Sequence, residues 1–166
     1  MKAVMISIRP EWCELIAKGE KTIEVRKTKP FLLAPFKVYI YCTKDQHGWF
    51  DFGKKERLDG KVIGEFVCDK ISIFRPKSIT CDHHIRKASC VSLKKLIEYA
   101  NTKNEHIYAW KISNLVIYDK PKELHEFNQC HKCEYQNRCA QHEYSCAGHY
   151  KLQRPPQSWC YVEELQ

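Results

Sequence analysis

The stretch SIRPEWCELIAKGEKTIEVRK, residues 7–27, sets the fold. Pro10 suits the first turn of a helix, where a missing N–H costs nothing. Trp12, Leu15 and Ile16 then recur at helical spacing, and Gly19 supplies a stop. The pattern predicts a short helix over 10–18. A strand over 21–27 follows at once. By strict alternation Lys21, Ile23 and Val25 share one face, and Thr22, Glu24 and Arg26 the other. Lys21 lies at the strand's mouth, where alternation binds least. Three charges thus fall within six residues beside a helix end. A solvated strand face would carry them. So would the wall of a cleft, as a mutually compensated set. Such a set recognises a heterocycle: Glu24 accepts from an exocyclic amine, while Arg26 and Lys21 donate to carbonyl or phosphate oxygens. Ser7 and Arg9 add a donor each.

Outward from this stretch the chain is mostly strand. Residues 3–8 and 36–43 are rich in β-branched and aromatic types. Residues 46–58 read as a loop and Asp59-Gly60 as a turn. A long strand over 61–74 is interrupted by Gly64, which marks a bulge or a barrel bend. Residues 75–90 read as a polar connection. Residues 91–102 have helical periodicity, with Leu93, Leu96, Ile97 and Ala100 on one face. One or two strands cover 106–118, a helical turn covers 119–127, and a last strand follows Pro155-Pro156. The expected class is α+β: a small mixed β-barrel with two or three short helices. The barrel spans 1–127 and 155–166, and residues 128–150 form a cysteine-rich insert.

The chain has 166 residues, enough for one domain and a small insert. No apolar run approaches the ~20 residues of a membrane span. The N-terminus lacks the long apolar stretch and cleavage site of a signal peptide, so the expected location is cytoplasmic. The net charge of +8 is compatible with a polyanionic partner and equally with a solvated lysine-rich surface.

Ten cysteines are many for such a chain. Cys13, Cys42, Cys68 and Cys160 sit among apolar neighbours and read as small core residues. Cys130, Cys133, Cys139 and Cys146 fall within 17 residues of a segment poor in apolar side chains. Without an export signal, metal binding is favoured over disulfides. Zinc takes four soft ligands in a tetrahedron, and the Cys130-x2-Cys133 pair would hold one edge. His142 is an alternative fourth ligand to Cys146. An iron–sulfur cluster is the lesser alternative.

Among the tryptophans, Trp12 and Trp110 read as core. Trp49 is a candidate stacking platform, and Trp159 borders the expected cleft.

The motif Ser7-x-x-Pro10-x-Trp12, then Gly19-x-Lys21-x-x-Glu24-x-Arg26, resembles the ASCH domain, a branch of the PUA-like barrel superfamily. Tyr108-Ala109-Trp110, Ile117-Tyr118-Asp119 and Pro156-Gln157-Ser158-Trp159-Cys160-Tyr161-Val162 look like its bacterial and phage members. The resemblance implies a barrel with a cleft between the first helix and the sheet. There family members are thought to bind RNA, DNA or modified nucleobases. Some small relatives are amidohydrolases that deacetylate N4-acetylcytidine with a Lys, a Thr and a Glu; others are proposed ribonucleases. Lys21 matches the family lysine, which makes Lys21 and Glu24 the catalytic candidates. The hydrolase threonine, three positions after the lysine, is Glu24 here. Recognition of a nucleic acid or modified nucleoside is therefore expected ahead of hydrolysis. A third reading is an interaction protein that grips a host protein through the insert.

Overall fold

The structure, a computed structural model, describes residues 1–45, 58–77, 83–100, 106–130 and 149–165. Its elements are β1 (Lys2–Ile8), α1 (Pro10–Ala17), β2 (Ile23–Arg26), β3 (Phe36–Cys42), β4 (Val62–Phe74), α2 (His83–Ser89), α3 (Leu93–Tyr99) and β5 (Ile107–Lys122). A 3-10 turn at Leu124–Glu126, β6 (Asn128–Cys130), β7 (His149–Lys151) and β8 (Trp159–Glu163) complete them. The strands form one mixed sheet of eight, ordered β2-β5-β4-β3-β1-β8-β6-β7. β1 and β3 run parallel and the other pairs antiparallel.

The expected closed barrel is corrected here. Among the described residues no backbone ladder joins β2 to β1 or β8, and the sheet stays open at that seam. β2 is only four residues long, and a side chain spans the seam instead: Arg26 Nη2 donates to the Ser7 carbonyl at 2.5 Å.

The middle strands are buried on both faces, as their near-continuous apolar runs require. Val4, Ile6 and Ile8 of β1 and Val38 and Ile40 of β3 pack with Cys13 and Ile16 of α1 and with Trp110. The alternate residues Ala3, Met5, Tyr39 and Tyr41 face the other way, against Phe127, Leu152 and Val162. A third cluster seats α2 and α3 on β2 and β5 through Ile23, Ile85, Leu96 and Ala109. Cys13, Cys42, Cys68 and Trp110 are core residues as expected, whereas Cys160 is half-buried.

Gly64 marks an irregularity, as expected: the ladder with β5 shifts register between Val62 and Gly64. A Cβ there would lie 2.4 Å from the Val116 carbonyl oxygen, so no larger residue fits without moving backbone.

Elsewhere the elements differ from the sequence pattern. The polar connection over 75–90 contains α2, whose two buried apolar residues, Ile85 and Ala88, form too small a periodic set to announce a helix. β5 is a single strand that runs on to Lys122, through the start of the expected helical turn. β6 and β7 are three-residue strands at the two ends of the expected insert. No helix among the described residues is long and apolar enough to cross a membrane.

On the second face, Glu65 of β4 accepts from the Tyr118 hydroxyl at 2.5 Å and pairs with Lys37 Nζ at 2.9 Å. Burial pushes the Glu65 carboxyl up, but the hydrogen bonds from Tyr118 and Lys37 outweigh it and hold the group below its ordinary 4.5. A depressed carboxylate stabilises the fold above its unfolded value and loses that contribution as pH falls through the folded one. Glu65→Gln is expected to cost about 1 kcal/mol at neutral pH. In urea unfolding across pH 3–7, the difference from wild type should shrink below the ordinary value of 4.5.

Candidate functional site

The end of α1 brings the charged residues together. Gly19 takes φ +73°, and its N–H bonds the Ile16 carbonyl while that of Glu20 bonds the Leu15 carbonyl, both at 2.9 Å. This left-handed C-terminal motif satisfies orphan carbonyls and turns the chain back. Lys21 N–H also reaches the Leu15 carbonyl, at 3.0 Å. β2 begins only at Ile23, so Lys21 belongs to the turn and escapes strand alternation. Its side chain joins Glu24, as expected of the compensated set, rather than following Ile23 and Val25 by strict alternation.

All three charged residues are buried, with Lys21 2%, Glu24 6% and Arg26 8% exposed. The solvated-face reading is thereby excluded. Lys21 Nζ donates to the carbonyls of Ile23 at 2.9 Å and Ser89 at 2.8 Å, and lies 3.2 Å from Glu24 Oε2. Ser89 ends α2, so the ammonium also caps a helix C-terminus. It sits 5.2 Å from the centroid of the Trp12 ring. Its three N–H donors therefore have three acceptors at hand. Arg26 Nε lies 3.1 Å from Glu24 Oε1, at ion-pair distance but outside hydrogen-bond geometry. The Arg26 guanidinium also reaches the Ser7 carbonyl and, at 3.5 Å, Ser158 Oγ.

Glu24 is thus held between two cations. A carboxylate has about four acceptor positions, and Glu24 has one cation on each oxygen, leaving capacity toward the cleft it lines. That cleft has a volume of about 400 Å³. The ends of β1 and β3 contribute Ser7, Arg9 and Thr43, α1 contributes Trp12, and α3 contributes Lys95, Leu96 and Tyr99. The size lies in the range of small-ligand sites. Burial pushes the Tyr99 phenol up, against a smaller lowering by Arg26, so the hydroxyl is neutral at ordinary pH.

Of the expected ligand-binding residues, the cleft brings together Ser7, Arg9, Lys21, Glu24 and Arg26. The Ser7 hydroxyl, however, donates to the Pro156 carbonyl at 2.6 Å and keeps only acceptor capacity. Trp12, expected in the core, is half-buried and lines the cleft. Trp159, expected to border the cleft, is not among the residues that line it. Its ring packs 6.2 Å from Trp110 and 5.4 Å from Tyr161, and its indole N–H donates to Thr28 Oγ1 at 2.9 Å. Trp49 lies outside the described residues, as do Cys133, Cys139, Cys146 and His142; Cys130 is placed in β6. Tyr99 and Lys95 escaped the sequence reading. They lie four residues apart, one turn of α3, and that spacing was the available signal.

An open mixed sheet, one helix tucked into its seam and a buried charged trio on the seam's edge define an ASCH-like fold. The crystal structure of the ASCH protein of Zymomonas mobilis superposes with a TM-score of 0.63 at 18% identity, covering 98% of this chain and 88% of that one. A Tyr-to-Phe variant of the same protein matches at 0.63 and 19% over 99% and 92%, and a Ser-to-Ala variant at 0.63 and 17% over 98% and 89%. At such identity the likeness establishes the fold. No protein-family model matches the sequence, and no curated protein does.

Breaking a buried ion pair on one side strands the other charge. Glu24→Gln is expected to lower unfolding free energy by about 3 kcal/mol. Lys21→Met combined with Glu24→Gln should cost clearly less than the sum of the two single variants. Additive losses in denaturant titrations would show that the pair is not coupled.

Proposed function

We propose that this chain is an ASCH-family recognition protein whose cleft takes a base of a nucleic acid or a modified nucleoside. The observation that carries this reading is the Glu24 carboxylate, buried at 6% exposure, flanked on both oxygens by cations and lining the cleft. A fixed acceptor of that kind selects a ligand edge bearing an N–H donor, and a mismatched edge leaves the buried acceptor unpaired. Trp12 and Tyr99 offer aromatic surface for a planar ring. Lys95 and Arg9 offer positive charge beside it.

Recognition is favoured over hydrolysis by the same geometry. Lys21 donates to two backbone carbonyls and lies at ion-pair distance from Glu24, so its ammonium is engaged by the protein rather than held toward a substrate carbonyl. The position of the hydrolase threonine is Glu24. Incubation with N4-acetylcytidine followed by mass analysis is expected to return it intact. Labelled RNA, single-stranded DNA and duplex DNA, titrated at two salt concentrations, test the binding reading. At least one should bind, and more weakly at the higher salt. Absence of any salt-sensitive binding would overturn it.

The insert is proposed to carry one structural zinc ion, held by Cys130, Cys133 and Cys139 with Cys146 or His142. β6 and β7 pair antiparallel with Cys130 opposite His149, so the segment leaves and re-enters the sheet at one place, which suits a metal-closed loop. Four protein ligands leave no position for a substrate or water, so the metal would serve folding. Elemental analysis of the purified chain should give about one zinc per molecule. Iron with visible absorbance would replace zinc by a cluster, and no metal at all would remove the proposal.

A further inference from the structure

The cleft does not end at Ser7. A second chamber of about 570 Å³ adjoins it, and Ser7, Thr43 and Gln157 line both. Its character differs. Leu124, Pro155 and Pro156 give it apolar surface, while His125 and Gln153 supply polar groups. Glu123, the one acid lining it among the described residues, is already engaged, with Lys61 Nζ at 3.4 Å and a backbone N–H of its own turn. The Ser7 hydroxyl holds the Pro156 carbonyl at 2.6 Å, so the divide between the chambers is itself fixed.

Two cations flank that divide. β1 and β3 are parallel with Ile8 opposite Cys42, and the Thr43 N–H bonds the Ile8 carbonyl at 2.8 Å. The two strands therefore end side by side, and Arg9 and Lys44 leave the sheet next to each other. Arg9 lines the first chamber and Lys44 the second. Both are exposed, and neither side-chain charge has a hydrogen-bond or ion-pair partner among the described residues.

Two ring-sized chambers joined at a waist with uncompensated positive charge match the repeat of an oligonucleotide: base, phosphate, base. We propose that the ligand is a single strand with two successive bases in the two chambers and the linking phosphate between Arg9 and Lys44. This rests on the base-recognition reading of the cleft and extends it from a nucleoside to a strand. Ribose and deoxyribose strands share the chemistry, so both are tested.

The full chain is titrated calorimetrically with cytidine, cytidine 3′-phosphate and the dinucleotide CpC, and with their deoxy counterparts. In at least one sugar series affinity should rise at both steps, with CpC about tenfold tighter than the monophosphate. The Lys44→Ala variant, which alters only the second chamber's side of the divide, should weaken the phosphate step and keep cytidine binding. His125→Ala should cut the second-base step by about fivefold and leave cytidine and its phosphate unchanged. Cytidine binding with no gain from monophosphate to CpC in either series overturns the two-chamber proposal and leaves the cleft reading standing. No binding by any of the probes overturns both.

Discussion

The Glu24 carboxylate, buried between Lys21 and Arg26, is the constraint around which the rest of the molecule is arranged. A charge taken out of water costs several kcal/mol unless partners surround it. Here the partners also hold the architecture. Lys21 ties the turn after α1 to the end of α2, and Arg26 ties β2 to β1 across a seam that no backbone ladder closes. The open edge of the sheet and the cleft are therefore one feature. Where a barrel would place a hydrogen-bonded strand pair, this chain places a charged side chain and a space for a ligand.

The chemistry available in that space follows from which hydrogen-bonding groups remain uncommitted. Two Lys21 donors and the Ser7 hydroxyl proton are directed to protein acceptors. Glu24 retains acceptor capacity, and Arg9 keeps donors without a partner among the described residues. The arrangement suits the fixed, complementary surface of a binding site, because its polar groups are held before any ligand arrives. A nucleophile with its activating base is not among these pairings.

Much of this was legible in residues 7–27. The proline start, the glycine stop and the Gly-x-Lys-x-x-Glu-x-Arg run predicted α1, β2 and the charged wall before any coordinates. Strict strand alternation would have set Lys21 apart from Glu24, but β2 starts two residues later, at Ile23, so Lys21 at the strand's mouth escapes it. Barrel closure was misjudged, since a sequence displays strands but not whether its two edge strands meet. Trp12 looked like core because it shares a helix with Cys13 and Ile16; its place on the cleft depends on where Lys21 lies, a tertiary fact. α2 was invisible because its burial comes from β2 and α3 rather than from its own short pattern.

The central claim is that Glu24 reads an exocyclic amino group on a base edge. Cytidine and uridine differ there, with an amino group in one and a carbonyl oxygen in the other, and have nearly the same shape. The direct test is the ratio of their dissociation constants for the wild-type chain in one buffer. Cytidine should bind at least about tenfold tighter, because uridine sets an oxygen against a buried carboxylate. Equal binding, or tighter binding of uridine, would contradict the assignment of Glu24 as the reading group.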